Sequence, residues 1–346
     1  MLRYIAYVTG SPDASGDFKS QNFRGEPRWE RNVADALHTN DRLVGTTLPG
    51  WKDVACGGTA DVLIAHGADS YAFFDADCRY FINHYYSPPH PKTQAHIREQ
   101  MTKVGQERVL LTSGFQSSGQ YRQLRELFPN NFAWLPVPAV VDVHREHDGF
   151  GNKTLLWANR TFLEMTDCYQ DAARRLFTWV AGKMKQDQSL LFEVLSGVPV
   201  SEGLEPKMWL RDYFAGPMND VRERVIVLPG MSWKDVSAVW QRTKLCVHSP
   251  MMYGGPPYEA ASWGIPTIGY PSTSPFHDEQ ERPKFPEYIG AELHDGAFLG
   301  HLERLFSDHA HYRKAGDAYR EHTAEYNTFG AFVAYLDRLA ERLGWV

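Results

Sequence analysis

Cysteine is scarce. The four residues, Cys56, Cys78, Cys168 and Cys246, stand far apart with no CxxC pair, which excludes a disulfide scaffold and the usual zinc ribbons. They read as buried small hydrophobes in a reducing compartment. Positive charge is not in excess either: 36 Lys and Arg face 42 Asp and Glu, a formal net charge of −6. No global field therefore draws the molecule to nucleic-acid backbones or anionic lipid. No run approaches the roughly 18 consecutive apolar residues of a membrane span. The opening "MLRYIAYVTGSPDASG" is too short in its apolar run for a signal peptide and lacks a cleavage pattern, so it predicts a first buried strand and a cytoplasmic protein. Walker A, GxSxG, GxGxxG and HExxH patterns are also missing, which removes ATP hydrolysis, α/β-hydrolase, nicotinamide and zinc-protease chemistry from the leading readings. The paired histidines of "HPKTQAH" (90–96), "DVHREHD" (142–148) and "SDHAHYR" (307–313) lack metal-ligand spacing. They are expected on solvated loops and helix faces, with no metal site.

What the chain has is a large apolar share, 43%, with 13% aromatic residues over 346 positions, enough for about two domains. Short apolar runs ending in Gly, Ser, His or Asn alternate with segments of helical period, the pattern of parallel sheets with crossover helices. The series occurs twice. The first has strands at 3–10, 43–47, 60–67, 79–86, 108–114 and 132–138, with helices at 25–39, 93–103 and 118–128. A polar stretch at 142–152 marks a linker. The second has strands at 153–160, 189–197, 224–230, 244–250 and 266–271, with helices at 168–185, 233–242 and 257–263. Amphipathic helices are expected at 299–322 and 328–343, the last with a stripe of Phe332, Leu336, Leu339 and Leu343. The predicted architecture is α/β, two doubly wound Rossmann-like domains facing a cleft. Ligands of such sheets sit outside the C-terminal strand ends.

The most informative stretch is "LCVHSPMMYGGPPYEAASWGIPTIGYP", 245–271, a strand, glycine turn and helix unit. Backbone N–H groups of Gly254 and Gly255 and the helix start suit an anion such as a diphosphate, and Glu259 in the first helical turn suits the vicinal hydroxyls of a ribose. On local physics alone a plain turn and a dipole-complementing carboxylate explain the same residues. Both readings stand at this point.

The segment "YEAASWGIPTIGY" resembles the "EAxAxGxPVV" signature of the GT-B nucleotide-sugar glycosyltransferases, in their retaining, glycogen-synthase-like and sucrose-synthase-like superfamily. The run-up "LPGMSWKDVSAVWQRTKLCVHSP" is similar to the one that precedes it there. The resemblance implies that Glu259 binds the donor ribose, that backbone around Tyr253, Gly254 and Gly255 meets the diphosphate and sugar, and that the loop through Gly230 and Met231 touches the nucleobase. In the first half, "GEPRWERNVADAL" matches the family's glycine loop and helix, placing Gly25 on the acceptor side with His66 of "DVLIAHG". The strand "FINHYYSP" resembles the one whose histidine lines the cleft beside the transferred sugar, which carries over to His84. "WANRTFLEM" supplies Arg160 where the family neutralises the leaving diphosphate. Two departures stand out: Met165 occupies the place of a second cation and Met251 that of a second Glu. A divergent enzyme, a rearranged site and an inactive homologue each account for them. The presence together of His84, Arg160, Gly254, Gly255 and Glu259 favours the divergent enzyme.

The resemblance further implies two Rossmann-like domains, 1–148 for the acceptor and 149–325 for the donor, with a helix at 326–346 crossing back to the first. It implies a nucleoside-diphosphate sugar, a UDP-sugar above all, as donor, a hydroxyl acceptor, retention of anomeric configuration, and charge stabilisation by Arg160, the helix N-terminus and glycine amides without a metal. The acceptor reading spans a glycan, a small molecule and a modified (hydroxymethyl) DNA base. Residues 1–148 carry 15 basic and 17 acidic side chains, so charge does not indicate DNA. Arg24, Arg28 and Arg31 offer a local basic edge and Tyr80 to Tyr86 an aromatic surface. A sugar-nucleotide epimerase or phosphorylase on the same fold is the alternative from another enzyme class.

Overall fold

The structure is a computed structural model and describes residues 2–7, 28–47, 60–66, 78–84, 91–113, 125–136, 138–139, 141–157, 167–195, 216–228, 233–248, 256–269 and 297–346. Two parallel sheets carry it. The first is built from β1 (Tyr4–Tyr7), β2 (Leu43–Thr47), β3 (Val62–His66), β4 (Tyr80–His84), β5 (Val109–Ser113) and β6 (Phe132–Trp134), ordered β2, β1, β3, β4, β5, β6. The second holds β7 (Thr154–Trp157), β8 (Leu191–Leu195), β9 (Val225–Leu228), β10 (Thr243–His248) and β11 (Thr267–Gly269), ordered β11, β10, β7, β8, β9. The central strands read as near-continuous apolar runs because both faces are covered, whereas Val44 of β2 and Ile226 and Val227 of β9, at the sheet edges, are exposed. Val62, Leu63, Ile64 and Ala65 are all at most 1% exposed, as are Leu155, Leu156 and Trp157, and a half-solvated strand would alternate instead.

Each sheet reverses its order once. The chain lays β2 outside β1 and then returns past it to β3; in the second sheet it runs β7, β8, β9 and returns to the other side of β7 for β10. Those reversals open crevices at the C-terminal ends of β1 and β3, and of β7 and β10.

Helices α1 (Arg28–Thr39), α2 (Pro91–Val104), α3 (Asp167–Gln186), α4 (Trp233–Arg242) and α5 (Pro256–Ser262) connect the strands. Of the helix expected at 118–128, only 125–128 lie among the described residues; 125–127 are helical and 128 is a bend. The predicted helix at 299–322 is two: α6 (Ala297–Ser307) and α7 (His309–Tyr326). Asp308 makes the break, its extended backbone and carboxylate capping α7 by accepting from the His311 N–H at 3.0 Å, as an N-cap aspartate does. The last helix, α8 (Phe329–Arg342), starts in the same way with Thr328, which accepts from Ala331 N–H at 3.2 Å.

Helix α8 lies on the first half of the chain. Phe332, Leu336 and Leu339 are buried in one cluster with Leu2, Tyr4, Val33 and Leu37, each worth roughly 1.5–3 kcal/mol of burial. Arg42 donates to Asp337 at 2.6 Å and to Leu2 O at 3.0 Å. Trp345 stacks on Tyr80, ring centres 4.4 Å apart and 11° from parallel, and its indole N–H reaches Glu107 O at 3.1 Å. Tyr80 is therefore engaged by the C-terminus and Phe81 is buried, so this part of the expected aromatic acceptor surface is packing. Cys78 and Cys246 are buried. Among the described residues no helix is long and apolar enough to cross a membrane.

Candidate functional site

The crevice of the second sheet forms where β10 pairs with β7. Val247 sits opposite Trp157, so the two strands end side by side. The chain leaving β7 carries Arg160 and the chain leaving β10 carries Tyr253, Gly254 and Gly255. These four, with Gly25, Met165, Gly230, Met231 and Met251, lie outside the described residues.

Glu259 is described. Helix α5 opens with Pro256 and Pro257, where a missing N–H costs nothing, and Glu259 falls in its first turn. The residue is 7% exposed. The Trp240 indole N–H, from α4, donates to its Oε2 at 3.2 Å, and Ser262 Oγ donates to the Glu259 carbonyl at 2.6 Å. Glu259 lines a cavity of about 300 Å³. Trp240, Trp263 and Phe329 give it apolar walls; Asp142 and His144, from the segment joining the two sheets, add to the lining.

One guanidinium ties the later part of that joining segment to the end of α5. Arg320 of α7, 8% exposed, donates through Nε to His144 O at 3.0 Å, through Nη2 to His147 O and to Trp263 O at 3.2 Å, and through Nη1 to Asp317 at 2.6 Å. The close approach depends on Gly264, whose φ of +67° ends α5 in the left-handed region and whose absent Cβ leaves the space Arg320 fills. On the other side Gly316 lets α7 come down on Gly264 O, 2.4 Å from where a Cβ would stand.

The two histidines of this segment are not solvated, contrary to the sequence expectation. His144 stacks on Trp263 at 3.5 Å between ring centres, His147 meets the same indole edge-on at 5.1 Å, and the His144 N–H donates to Ser262 O at 2.9 Å. Burial pushes both imidazoles below the ordinary histidine range, with Arg320 adding to it; Asp142 opposes the shift at His144 and Asp148 at His147. His309 pairs with Asp148 at 2.6 Å and stacks on Phe150 at 4.6 Å. Sequence reading missed Trp240, Trp263, His144 and Arg320 because their contacts bridge residues that stand far apart in the chain.

At the C-terminal end of β4, inside the first sheet, His84 pairs in register with His66 and Thr112. The His84 side chain is fully buried, with Nδ1 3.1 Å from Thr112 Oγ1. The backbone of His66 ends β3 beside it. His84 and Glu259 are the sequence-predicted site residues whose side chains are described; they belong to different sheets. Among the described residues no cluster of His, Cys, Asp and Glu could hold a metal ion.

No family model matches the chain, and no curated protein matches it by sequence. Solved structures do match in fold. A sucrose-phosphate synthase from Thermosynechococcus elongatus superposes with a TM-score of 0.60 at 11% identity, over 99% of each chain. A Listeria monocytogenes chain assigned as a UDP-N-acetylglucosamine 2-epimerase gives 0.55 at 12% identity over 100% of this chain and 97% of that one. A variant of Staphylococcus aureus TarM in complex with fondaparinux, alpha-GlcNAc-glycerol and UDP gives 0.53 at 12% identity, over 80% of this chain and 54% of that one. The chain thus spans about half the length of the TarM chain it matches. At these identities the likeness establishes architecture: two parallel α/β sheets joined by a linker and a returning C-terminal helix, which is the GT-B fold.

Proposed function

We propose that the protein is a glycosyltransferase that moves a sugar from a nucleoside-diphosphate sugar, a UDP-sugar above all, to an acceptor hydroxyl. The observation that carries this reading is the pairing of β7 with β10. It brings the stems of the Arg160 and Gly254-Gly255 segments together at the crevice where this fold binds ligands, with Glu259 one helical turn beyond. The domains then divide at the linker, 1–148 for the acceptor and 149–325 for the donor, with the C-terminal helix at 326–346 packing on the first of them.

In this reading the diphosphate leaves against Arg160, whose guanidinium forks onto two phosphate oxygens, against the amides of Gly254 and Gly255, and against the positive end of the α5 dipole, since Pro256 and Pro257 bring no N–H of their own. Tyr253 borders the sugar, and Gly230 and Met231 the base. Glu259 accepts from the ribose hydroxyls. His84, beside Thr112, is the catalytic histidine that orients the sugar or shares a proton, and Gly25 and His66 face the acceptor. Charge builds on the departing oxygens while the anomeric carbon becomes oxocarbenium-like, so preorganised donors supply the stabilisation without a metal. Retention of configuration follows if the leaving phosphate itself accepts the proton of the incoming hydroxyl. A glycan, a small molecule and a modified DNA base are the acceptor classes, and the cytoplasm the expected compartment.

Epimerisation of a sugar nucleotide is the second reading, favoured by the full-length match to the Listeria chain. The discriminating experiment incubates the protein with a panel of nucleotide sugars, with and without acceptor alcohols. A transferase releases nucleoside diphosphate in step with glycosylated acceptor. An epimerase interconverts sugars with no acceptor present. Arg160→Ala and Glu259→Ala are expected to cut release at least about tenfold, the loss expected for a charged hydrogen bond; release unaffected by both removes this site from the mechanism.

A further inference from the structure

The cavity beside Glu259 has one wall that the proposed chemistry leaves unused. Its described lining holds the two carboxylates of Asp142 and Glu259 and no Lys or Arg. Such a lining repels phosphate and accepts hydroxyl donors, while Trp240, Trp263 and Phe329 supply its apolar surface. A space of about 300 Å³ is at the small end of ligand pockets, the size for one ring system and its substituents. Glu259 approaches from α5 in the second half of the chain. Asp142 approaches from the joining segment, exposed at the rim.

We infer that Asp142 is a specificity-determining residue of the donor site, gripping a ribose hydroxyl together with Glu259 so that the segment between the lobes reads the bound nucleotide directly. The inference rests on the donor-site reading of Glu259 given above. The segment is held for this task at both ends. The His144 N–H bonds Ser262 O at 2.9 Å and the His144 ring lies on Trp263 at 3.5 Å, which sets Asp142 two residues away against the cavity. Ala139 N–H bonds Asn327 O at 2.9 Å, and Asn32 Nδ2 bonds Pro138 O at 2.9 Å, which tie the same stretch to α8's entrance and to α1. A ligand held by both Glu259 and Asp142 therefore links the donor lobe to the stretch that fixes the acceptor lobe.

The test is calorimetric titration of the whole protein with UDP, GDP and ADP, followed by the 2′-deoxy and 3′-deoxy forms of whichever binds. Asp142→Ala, at an exposed position, is expected to keep the melting temperature and to weaken binding of the parent nucleotide about tenfold, the scale of one hydrogen bond to a charged group. Against the deoxy form lacking the hydroxyl that Asp142 takes, the same substitution is expected to change affinity by less than about twofold, because the partner is already gone. Weaker binding with Glu259→Gln but none with Asp142→Ala overturns the inference and leaves the donor-site reading standing. An equal loss for all three ligands also overturns it, since that pattern marks distortion of the cavity. Failure of all three nucleotides to bind, or binding indifferent to Glu259→Gln, removes the donor-site reading and the inference with it.

Discussion

Arg320 shows how much one residue can fix. Its guanidinium satisfies carbonyls of His144, His147 and Trp263, acceptors from two turns that lie more than 100 positions apart in the chain. Arg320→Met keeps the length and removes the donors, so it is expected to destabilise the fold by about 2–4 kcal/mol, checked by urea unfolding. Arg320→Lys recovers only part, since an ammonium cannot fork to three carbonyls. The neighbouring histidines give a pH signature. Their imidazoles are pushed below the ordinary range by burial and by Arg320, so the unfolded chain binds protons more readily than the folded one. Stability is then fully present above about pH 6.5, the unfolded histidine value, and declines as pH falls below it toward the depressed folded values. The melting temperature is expected to drop between pH 7 and pH 5.5, and the double substitution His144→Gln with His147→Gln to shrink that drop; an unchanged drop refutes the assignment. None of this was legible in "DVHREHD". A polar, charged, glycine-flanked run has the composition of an open linker, and what buries its histidines is an indole more than 100 positions away.

At the scale of elements the sequence was far more readable. Strands buried on both faces are largely apolar, and β3, β4 and β7 announce themselves that way, whereas β2, at the sheet edge with Val44 exposed, is a weaker pattern; helix α4 begins and ends where its period does, at Trp233 and Arg242. Ends were less secure where a polar residue acts twice. Asp308 reads as a surface position of one long helix, yet an aspartate followed by a helical run is also an N-cap, and here the cap prevails because the first helix must turn for α7 to lie against Gly264. Asp308→Ala removes the acceptor for the His311 N–H and is expected to cost about 1 kcal/mol, measured as a shift of the unfolding midpoint at constant slope. Asp308→Ser retains most of the lost stability, whereas a loss equal to that of alanine excludes capping as the cause. Beside Glu259, the start of α5 at Pro256 was legible for a different reason: Pro at a helix start with a carboxylate in the first turn is a common local signal. Its roles in binding stay with the proposal above.

For the whole molecule the decisive element is the last one. One apolar cluster contains Leu2, Val33, Ile64 and Leu110 from the first sheet and its helix, Leu155, Phe177 and Phe192 from the second, and Phe332, Leu336 and Leu339 from α8. The chain therefore does not divide into two independent cores; α7 brings the second half's core to Asn327, and α8 carries it onto α1. Removal of residues 329–346 exposes the faces of Val33, Leu37 and Tyr4 and deletes the Arg42–Asp337 pair and the Trp345 stack on Tyr80. Burial of side chains such as Phe332, Leu336, Leu339 and Trp345, each at roughly 1.5–3 kcal/mol, is comparable with the whole stability of a domain of about 5–15 kcal/mol. The full chain is expected to melt in a single calorimetric transition, and the truncated one to lose the first lobe's share of that transition while keeping the second's. Two separate transitions in the full chain, or a truncated chain whose first lobe still melts cooperatively, would mean that the shared cluster is only contact and not coupling. The same coupling bears on function: if the stretch that reads the nucleotide also anchors the two sheets, an intact α8 is required for tight donor binding although no residue of its last three turns lines the cavity. Trp345→Ala should therefore weaken nucleotide binding as well as lower the melting temperature, the first by titration at a temperature where the variant is still folded.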